Sequence, residues 1–329
     1  MPKTRRAVPS ESARPVRGGT VPVVSVIVPL LNEEESLPEL HRQLTGVLHG
    51  LGKSYEIIYV DDGSTDRSYE VLQEFHHGDR HVKVIRFRRN FGKSAALSVG
   101  FQEARGHTVI TMDADLQDDP SEIPSLIEAL GTSYDLISGW KKKRFDPLTK
   151  TIPSKFFNYV TGKLTGIPIH DFNCGLKAYR REVVKDVQVY GELHRYIPAL
   201  AHWAGYRVGE KPVQHHPRRY GRTKFGISRF FRGFLDLLTV LFTTRYIRRP
   251  LHLFGVWGLV TLVAGAGIVG YLSLEWFLGR TSLSNRPLFL VGILFTITGI
   301  QFVSIGLLGE MISRQQTSTK TYAIRDHLR

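Results

Sequence analysis

Thr108-Val109-Ile110-Thr111-Met112-Asp113-Ala114-Asp115 takes a short apolar run straight into two acids two residues apart. The run reads as a strand of a covered sheet, and the acids as its carboxyl-terminal exit. Two carboxylates at i and i+2 face one hard cation when the backbone turns at a strand end, and such a cation usually bridges to substrate phosphates. The stretch therefore predicts a metal–diphosphate site at the edge of a sheet.

Upstream, the same kind of run recurs at Val23 to Val28, Glu56 to Val60 and Val82 to Phe87, and downstream at Asp135 to Ser138, with helical patterns between them. Alternation of this type predicts an α/β fold, a largely parallel sheet covered by helices on both faces. Ligands in such sheets collect at the carboxyl ends of the strands. The polar clusters fall there: Pro29 to Glu33, Asp61 to Asp66, Arg88 to Lys93 and Asp113 to Asp119. After Gly139 the pattern loosens into Pro- and Gly-punctuated segments carrying Asp171 to Arg181, His194 to Pro198 and Arg218 to Phe225.

Two apolar stretches near the C-terminus, Leu251 to Leu278 and Pro287 to Gly309, are each long enough to cross a bilayer as a helix. Residues 226–249 mix Phe and Leu with Arg229, Arg232 and Arg245, a pattern that suits amphipathic helices at the interface or, equally, a domain helix packed on the core. In the second stretch Gly292, Gly299 and Gly306 recur every seven residues and form one stripe for close helix packing, within the hairpin or between subunits. Glu275 reads as interfacial.

Among 329 residues, 42% are apolar, enough for a real core and against disorder of the whole. A net charge of +14 is compatible with nucleic acid, but much of the excess sits in the first twenty residues and around the apolar stretches, where a membrane surface explains it better. Arg232, Arg245, Arg248 and Arg249 precede the first span and Arg314, Lys320, Arg325 and Arg329 follow the second, against only Arg280 and Arg286 between them. The positive-inside rule then places both ends in the cytoplasm. The lone Cys174 excludes an intrachain disulfide. Residues 1–22 read as a basic tail without a signal peptide.

Asp61-Asp62-Gly63-Ser64-Thr65-Asp66 ends a strand with a turn and an N-cap. Set before Asp113/Asp115 and after Val28-Pro29-Leu30-Leu31-Asn32-Glu33, it resembles the first half of a family 2 glycosyltransferase with the GT-A fold, a resemblance that covers about residues 23 to 225. Arg89-Asn90-Phe91-Gly92-Lys93 and Asp113-Ala114-Asp115-Leu116-Gln117-Asp118-Asp119-Pro120 resemble more narrowly the polyprenyl-phosphate glycosyltransferases, in their bacterial undecaprenyl-phosphate group. The architecture implied is a GT-A domain over 23–225, juxtamembrane helices over 226–249, two transmembrane helices over 250–312 and a C-terminal tail over 313–329. The membrane implied is the bacterial cytoplasmic one.

By that resemblance, Asp113 and Asp115 hold Mg²⁺ or Mn²⁺ on the donor diphosphate, with Gln117 close by, and the ion offsets charge on the departing nucleotide. Pro29, Asn32, Glu33, Asp61, Asp62 and Ala114 belong to the nucleoside side, with Arg89 and Lys93 as cations for the donor. Arg218-Arg219-Tyr220-Gly221-Arg222-Thr223-Lys224-Phe225 matches the family's Arg-x-x-Gly-x-(Ser/Thr)-Lys-aromatic signature, so Arg218 and Lys224, with Arg222, are expected at the acceptor phosphate. His194 and Arg195 resemble a segment near the sugar, although His194 also suits a satisfied structural histidine. Asp171 departs from the commoner Asp-x-Gly wording and is read as orienting acceptor or sugar, because a phosphate monoester needs no base near neutral pH.

Asp118 and Asp119, before Pro120 at a helix start, have a structural reading beside a chemical one. Lys141-Lys142-Lys143-Arg144 reads as a solvated face, with a phosphate role left open by its place after a strand.

The implied reaction moves a hexose, glucose from UDP-glucose first and mannose from GDP-mannose second, to undecaprenyl phosphate, in a homo-oligomer that binds no nucleic acid. A processive synthase would need more spans and a Gln-x-x-Arg-Trp segment. The remaining alternative is a non-catalytic membrane scaffold.

Overall fold

The computed structural model describes residues 22–142, 148–217 and 250–315, apart from 168, 190, 192, 281, 284 and 285. Arg218, Arg222, Lys224, the juxtamembrane segment 226–249 and both tails lie outside the described residues.

Strands β1 (Val24–Leu30), β2 (Tyr55–Asp61), β3 (Val82–Arg86), β4 (Thr108–Thr111), β5 (Leu136–Trp140), β6 (Lys177–Arg180) and β7 (Val208–Pro212) form one sheet in the order β3-β2-β1-β4-β6-β5-β7. The expected runs are all strands, with ends moved by one or two residues. β1 pairs in parallel with β2 and β4, with Val26 opposite Ile57 and Ile110. The departure from the expectation is β6, which runs antiparallel between β4 and β5. Its Lys-Ala-Tyr-Arg stretch carries too little apolar character to announce a strand, and tertiary pairing decides it.

Both faces of the sheet are covered, which is why its strands read as continuous apolar runs. On one face Val26 and Val28 meet Leu40, Leu44 and Leu48 of α1 (Leu37–Gly50). The other face sets Ile27 against Ala96, Leu97 and Phe101 of α3 (Lys93–Glu103). Helices α2 (Ser68–Gly78), α4 (Ile123–Thr132), α5 (Leu148–Thr165), α6 (Arg181–Asp186) and α7 (Ile197–Trp203) complete the layers. This frame delivers the ends of β1, β2 and β4 to one edge, where the polar loops lie.

The chain continues into α8 (Pro250–Phe277) and α9 (Pro287–Gln315), long and apolar enough to cross a membrane. Their outward faces expose Trp257, Val263, Leu290 and Met311, each at least 60% accessible, a surface suited to lipid. The glycine stripe is used inside the hairpin. A Cβ on Gly299 would lie 2.6 Å from the Leu262 amide and 2.7 Å from the Gly258 carbonyl oxygen, and one on Gly265 would lie 2.5 Å from the Thr296 amide. Gly258 and Gly265, also seven apart, are thus the partners of Gly292, Gly299 and Gly306, and this stripe offers no surface to a second copy. Glu275 lies 3.4 Å from Arg280 beyond the helix end, in keeping with an interfacial place.

Candidate active site

The loops after β1 and β2 are buttoned to each other. Asn32, at φ 57°, accepts the Thr65 amide on its side-chain oxygen at 2.8 Å, and its own amide donates to Ser64 Oγ at 2.9 Å. The Glu33 amide donates to Ser68 Oγ at 2.9 Å, and the Glu33 carboxylate accepts the Ser36 hydroxyl at 3.0 Å. Asn tolerates the left-handed backbone that this turn requires. The motif Pro-x-x-Asn-Glu therefore shapes the nucleoside side as one rigid ledge, with Pro29 lining the pocket beside it.

Asp61 and Asp62 divide in role. Asp61 is fully buried, accepts the Ser64 amide at 2.8 Å and faces Arg86 at 3.4 Å, so it holds the turn from behind. Asp62 accepts the amides of Phe91 at 2.7 Å and Gly92 at 2.9 Å. Burial outweighs those bonds and pushes the Asp62 carboxyl above its ordinary range. By holding residues 91 and 92, Asp62 sets the start of α3, whose N-cap Gly92 takes φ 94°. Lys93 is the first residue of that helix, so its ammonium adds to the amide end of the helix, a combination that suits diphosphate. Arg89 is exposed and lies over the Phe91 ring at 4.7 Å.

Across from Lys93, burial alternates along the loop after β4. Asp113, Asp115, Gln117 and Asp119 are accessible, while Ala114, Leu116, Asp118 and Pro120 are buried. Leu116, at φ 58°, makes the turn that the paired carboxylates require. The Gln117 amide donates to Asp115 Oδ1 at 3.3 Å. Ala114, expected on the donor side, has its side chain in the apolar cluster, which leaves its backbone to the site.

Asp113 forms an ion pair with Lys93. Burial alone would raise its pKa, but Lys93 first, then Lys141 and Lys177, outweigh it and hold the carboxyl down at about 2. Asp113 is thus a carboxylate at every physiological pH, as a metal ligand must be. Among the described residues no three His, Cys, Asp or Glu side chains converge on one point. A two-carboxylate set that leaves other positions to phosphate oxygens and water suits Mg²⁺ or Mn²⁺, and Asp113 and Asp115 fit that description.

The far wall comes from the turn that Asp171 opens. Asp171 is 1% exposed and accepts the Asn173 amide on Oδ1 at 3.0 Å. Two residues that sequence reasoning did not single out matter here. Gly175 packs directly on Asp113: a Cβ there would stand 2.5 to 2.6 Å from the carboxylate atoms. Lys177, 4% exposed on β6, donates to the Cys174 carbonyl oxygen and lines the same pocket. Burial pushes its pKa down. The signal for it was a lysine placed between the apolar residues Leu176 and Ala178, legible only once that segment is known to be an interior strand.

His194 and Arg195 line this pocket too. The His194 backbone amide donates to Ser94 Oγ at 3.1 Å, and its Nδ1 lies 3.0 Å from that hydroxyl. A hydroxyl that accepts the amide is free to donate to Nδ1, which places the ring proton on Nε2. Burial first, then Lys93 and Arg195, depress the His194 pKa well below its ordinary value, so the ring is neutral. His194 is both satisfied by Ser94 and part of the pocket wall.

Lys141 corrects the solvated reading of its basic run. Its side chain is 13% exposed and lies 2.8 Å from Asp118, which is 1% exposed. Burial would lower its pKa, but Asp118 prevails and raises it. Removing one partner strands a buried charge, so Asp118→Ala is expected to cost about 3 kcal/mol. Denaturant unfolding of Asp118→Ala beside the double variant Asp118→Ala/Lys141→Met checks this, and most of the loss should return in the double. An equal loss in both would remove the pair from the explanation. Asp119, by contrast, caps the turn at Pro120–Glu122 by accepting the Ser121 amide at 2.8 Å.

Residues 25–188 match the family model described as Glycosyl transferase family 2. Dodecaprenyl-phosphate galacturonate synthase of Rhizobium johnstonii is 38% identical over 328 residues, 95% of this chain and 96% of that protein. Undecaprenyl-phosphate 4-deoxy-4-formamido-L-arabinose transferase of Salmonella paratyphi A is 37% identical over 293 residues, 88% of each chain. Among solved structures, glucosyl-3-phosphoglycerate synthase from Mycobacterium tuberculosis, in complex with Mn²⁺, UDP and phosphoglyceric acid, superposes with a TM-score of 0.53 at 18% identity over 71% of this chain and 84% of that one. At that identity the likeness speaks for the GT-A fold alone. With sheet order, strand-end acids and near full-length relatives in agreement, the chain belongs to the family 2 glycosyltransferases, in their polyprenyl-phosphate branch.

Proposed function

We propose that this enzyme transfers a sugar from a nucleoside diphosphate sugar to undecaprenyl phosphate or a similar polyprenyl phosphate at the cytoplasmic face of a bacterial membrane. The observation that carries the reading is the ion-paired Asp113 and Lys93 at the ends of β4 and α3, in a chain that also has two bilayer-length helices. The basic residues around α8 and α9 favour a hairpin with its ends in the cytoplasm. Arg218, Lys224 and Arg222 are proposed as the cations that receive the lipid phosphate.

In the proposed reaction an oxygen of the lipid phosphate forms a bond to the anomeric carbon. The bond from that carbon to the donor diphosphate breaks, and its electron pair stays on the departing oxygen. One in-line displacement inverts the anomeric centre. Asp113 and Asp115 would hold Mg²⁺ or Mn²⁺, whose chemistry is to offset charge on the leaving diphosphate. Lys93 adds a cation on the same side. His194 presents a neutral N–H donor, and Asp171 and Arg195 orient the sugar and acceptor. No group need take a proton, because the phosphate monoester is already ionised.

The donor is proposed to be a UDP-sugar. UDP-glucose is the reading of the sequence motifs, and the relatives named above act on galacturonate and on 4-deoxy-4-formamido-L-arabinose. Incubating the full chain with undecaprenyl phosphate and labelled UDP-glucose, UDP-galacturonate or GDP-mannose, each with Mg²⁺, Mn²⁺ or EDTA, tests the proposal. One labelled lipid, lost in EDTA, is the expected result. No labelled lipid from any donor, in a folded sample that binds UDP, would sink it.

A further inference from the structure

After Pro212 the chain leaves the sheet but stays attached to the loop that carries Asp115 and Gln117. The Val213 amide donates to the Trp140 carbonyl at 3.0 Å, and the Gln214 amide to Glu122 Oε1 at 3.1 Å. His215 forms an antiparallel bridge with Asp118, and the His216 amide donates to the Gln117 carbonyl at 2.9 Å. Finally, His216 Nε2 lies 2.9 Å from Asp119 Oδ2. One short loop therefore carries the donor-side acids on its accessible face and, along its edge, a strand that ends just before Arg218. The backbone bonds would suffice to keep the strand on the loop. The His216 side chain adds a grip at its last described turn, where the direction of the following residues is set.

We propose that His216 is a positioning residue for the acceptor: through Asp119 it fixes how the chain leaves the donor loop toward Arg218, and so where the lipid phosphate is received relative to the donor. Asp119 is the partner rather than a ligand, since its other oxygen caps the turn at Ser121. The inference rests on the reading above that residues 218–225 meet the acceptor phosphate. His216 is 42% exposed at its side chain, so its loss leaves the core untouched.

The test compares wild type, His216→Ala and His216→Gln as full chains, reading the KM for undecaprenyl phosphate, UDP affinity in Mn²⁺ and thermal midpoint. His216→Ala is expected to raise the lipid KM about tenfold, about 1.4 kcal/mol, with UDP affinity within twofold and the midpoint unchanged. Gln, whose amide nitrogen reaches Asp119 as Nε2 does, should recover most of the loss. A lipid KM that does not move, an equal loss in UDP affinity, or a Gln variant no better than Ala would overturn the proposal. Wild type that glycosylates no polyprenyl phosphate would overturn the acceptor reading, and this inference with it; transfer by wild type without the split in the variant overturns this inference alone.

Discussion

Gly175→Ala is expected to lower kcat/KM by about 10³, roughly 4 kcal/mol of transition-state stabilisation, while the protein stays folded. The added methyl would lie 2.5 to 2.6 Å from the Asp113 carboxylate, well inside contact distance. The backbone has little room to yield, because the Gly175 carbonyl accepts Thr111 Oγ1 at 2.8 Å in the sheet interior. The carboxylate must turn away instead. Overpacking of this size costs about 1–3 kcal/mol of stability, so expression and unfolding should change modestly while Mn²⁺ affinity collapses. Steady-state kinetics beside Mn²⁺ titration read the two effects separately. Activity within tenfold of wild type would show that the clearance around Asp113 is not needed.

Asp113→Asn should lower activity by at least about 10³ for a different reason, since shape is kept and only charge is lost. Lys93 loses its partner, but both side chains are about one-third accessible, so stability should shift by less than about 1 kcal/mol. Without the carboxylate, Lys93 faces the donor diphosphate with one repelling charge fewer. UDP binding in EDTA should therefore be no weaker than in wild type, whereas the gain in UDP affinity on adding Mn²⁺ should disappear. If Mn²⁺ still tightened UDP in this variant, the ion would be held elsewhere. The contrast with Gly175→Ala is useful: one variant removes the ligand, the other displaces it.

Much of this was legible in the chain. Val24–Leu30, Tyr55–Asp61 and Thr108–Thr111 announce themselves because strands covered on both faces must be apolar at every position. Asp113 and Asp115 announce themselves because acids directly after such a strand have few structural reasons to be there. Local chemistry also marked Asn32 and Gly92, whose backbones take conformations that few residues accept. The two apolar helices follow from composition and length alone.

Other features needed the folded chain. Lys141 looked like one of four solvated cations and is a buried partner of Asp118. Asp62 looked like a ligand and grips the amides of residues 91 and 92. Gly175 looked like a turn residue and is the clearance for Asp113. The glycines of α9 had two possible partners until α8 brought Gly258 and Gly265 against them. In sum, periodicity, backbone preference and strand-end position are local quantities, so the amino-acid sequence by itself determined the α/β frame, the edge that bears the site and the bilayer-length helices. Which charge meets which, and which glycine makes room for which carboxylate, depends on atoms brought together from distant parts of the chain; only the tertiary structure decided those, because contact energies fall away within a few ångströms and carry no mark in the residues between.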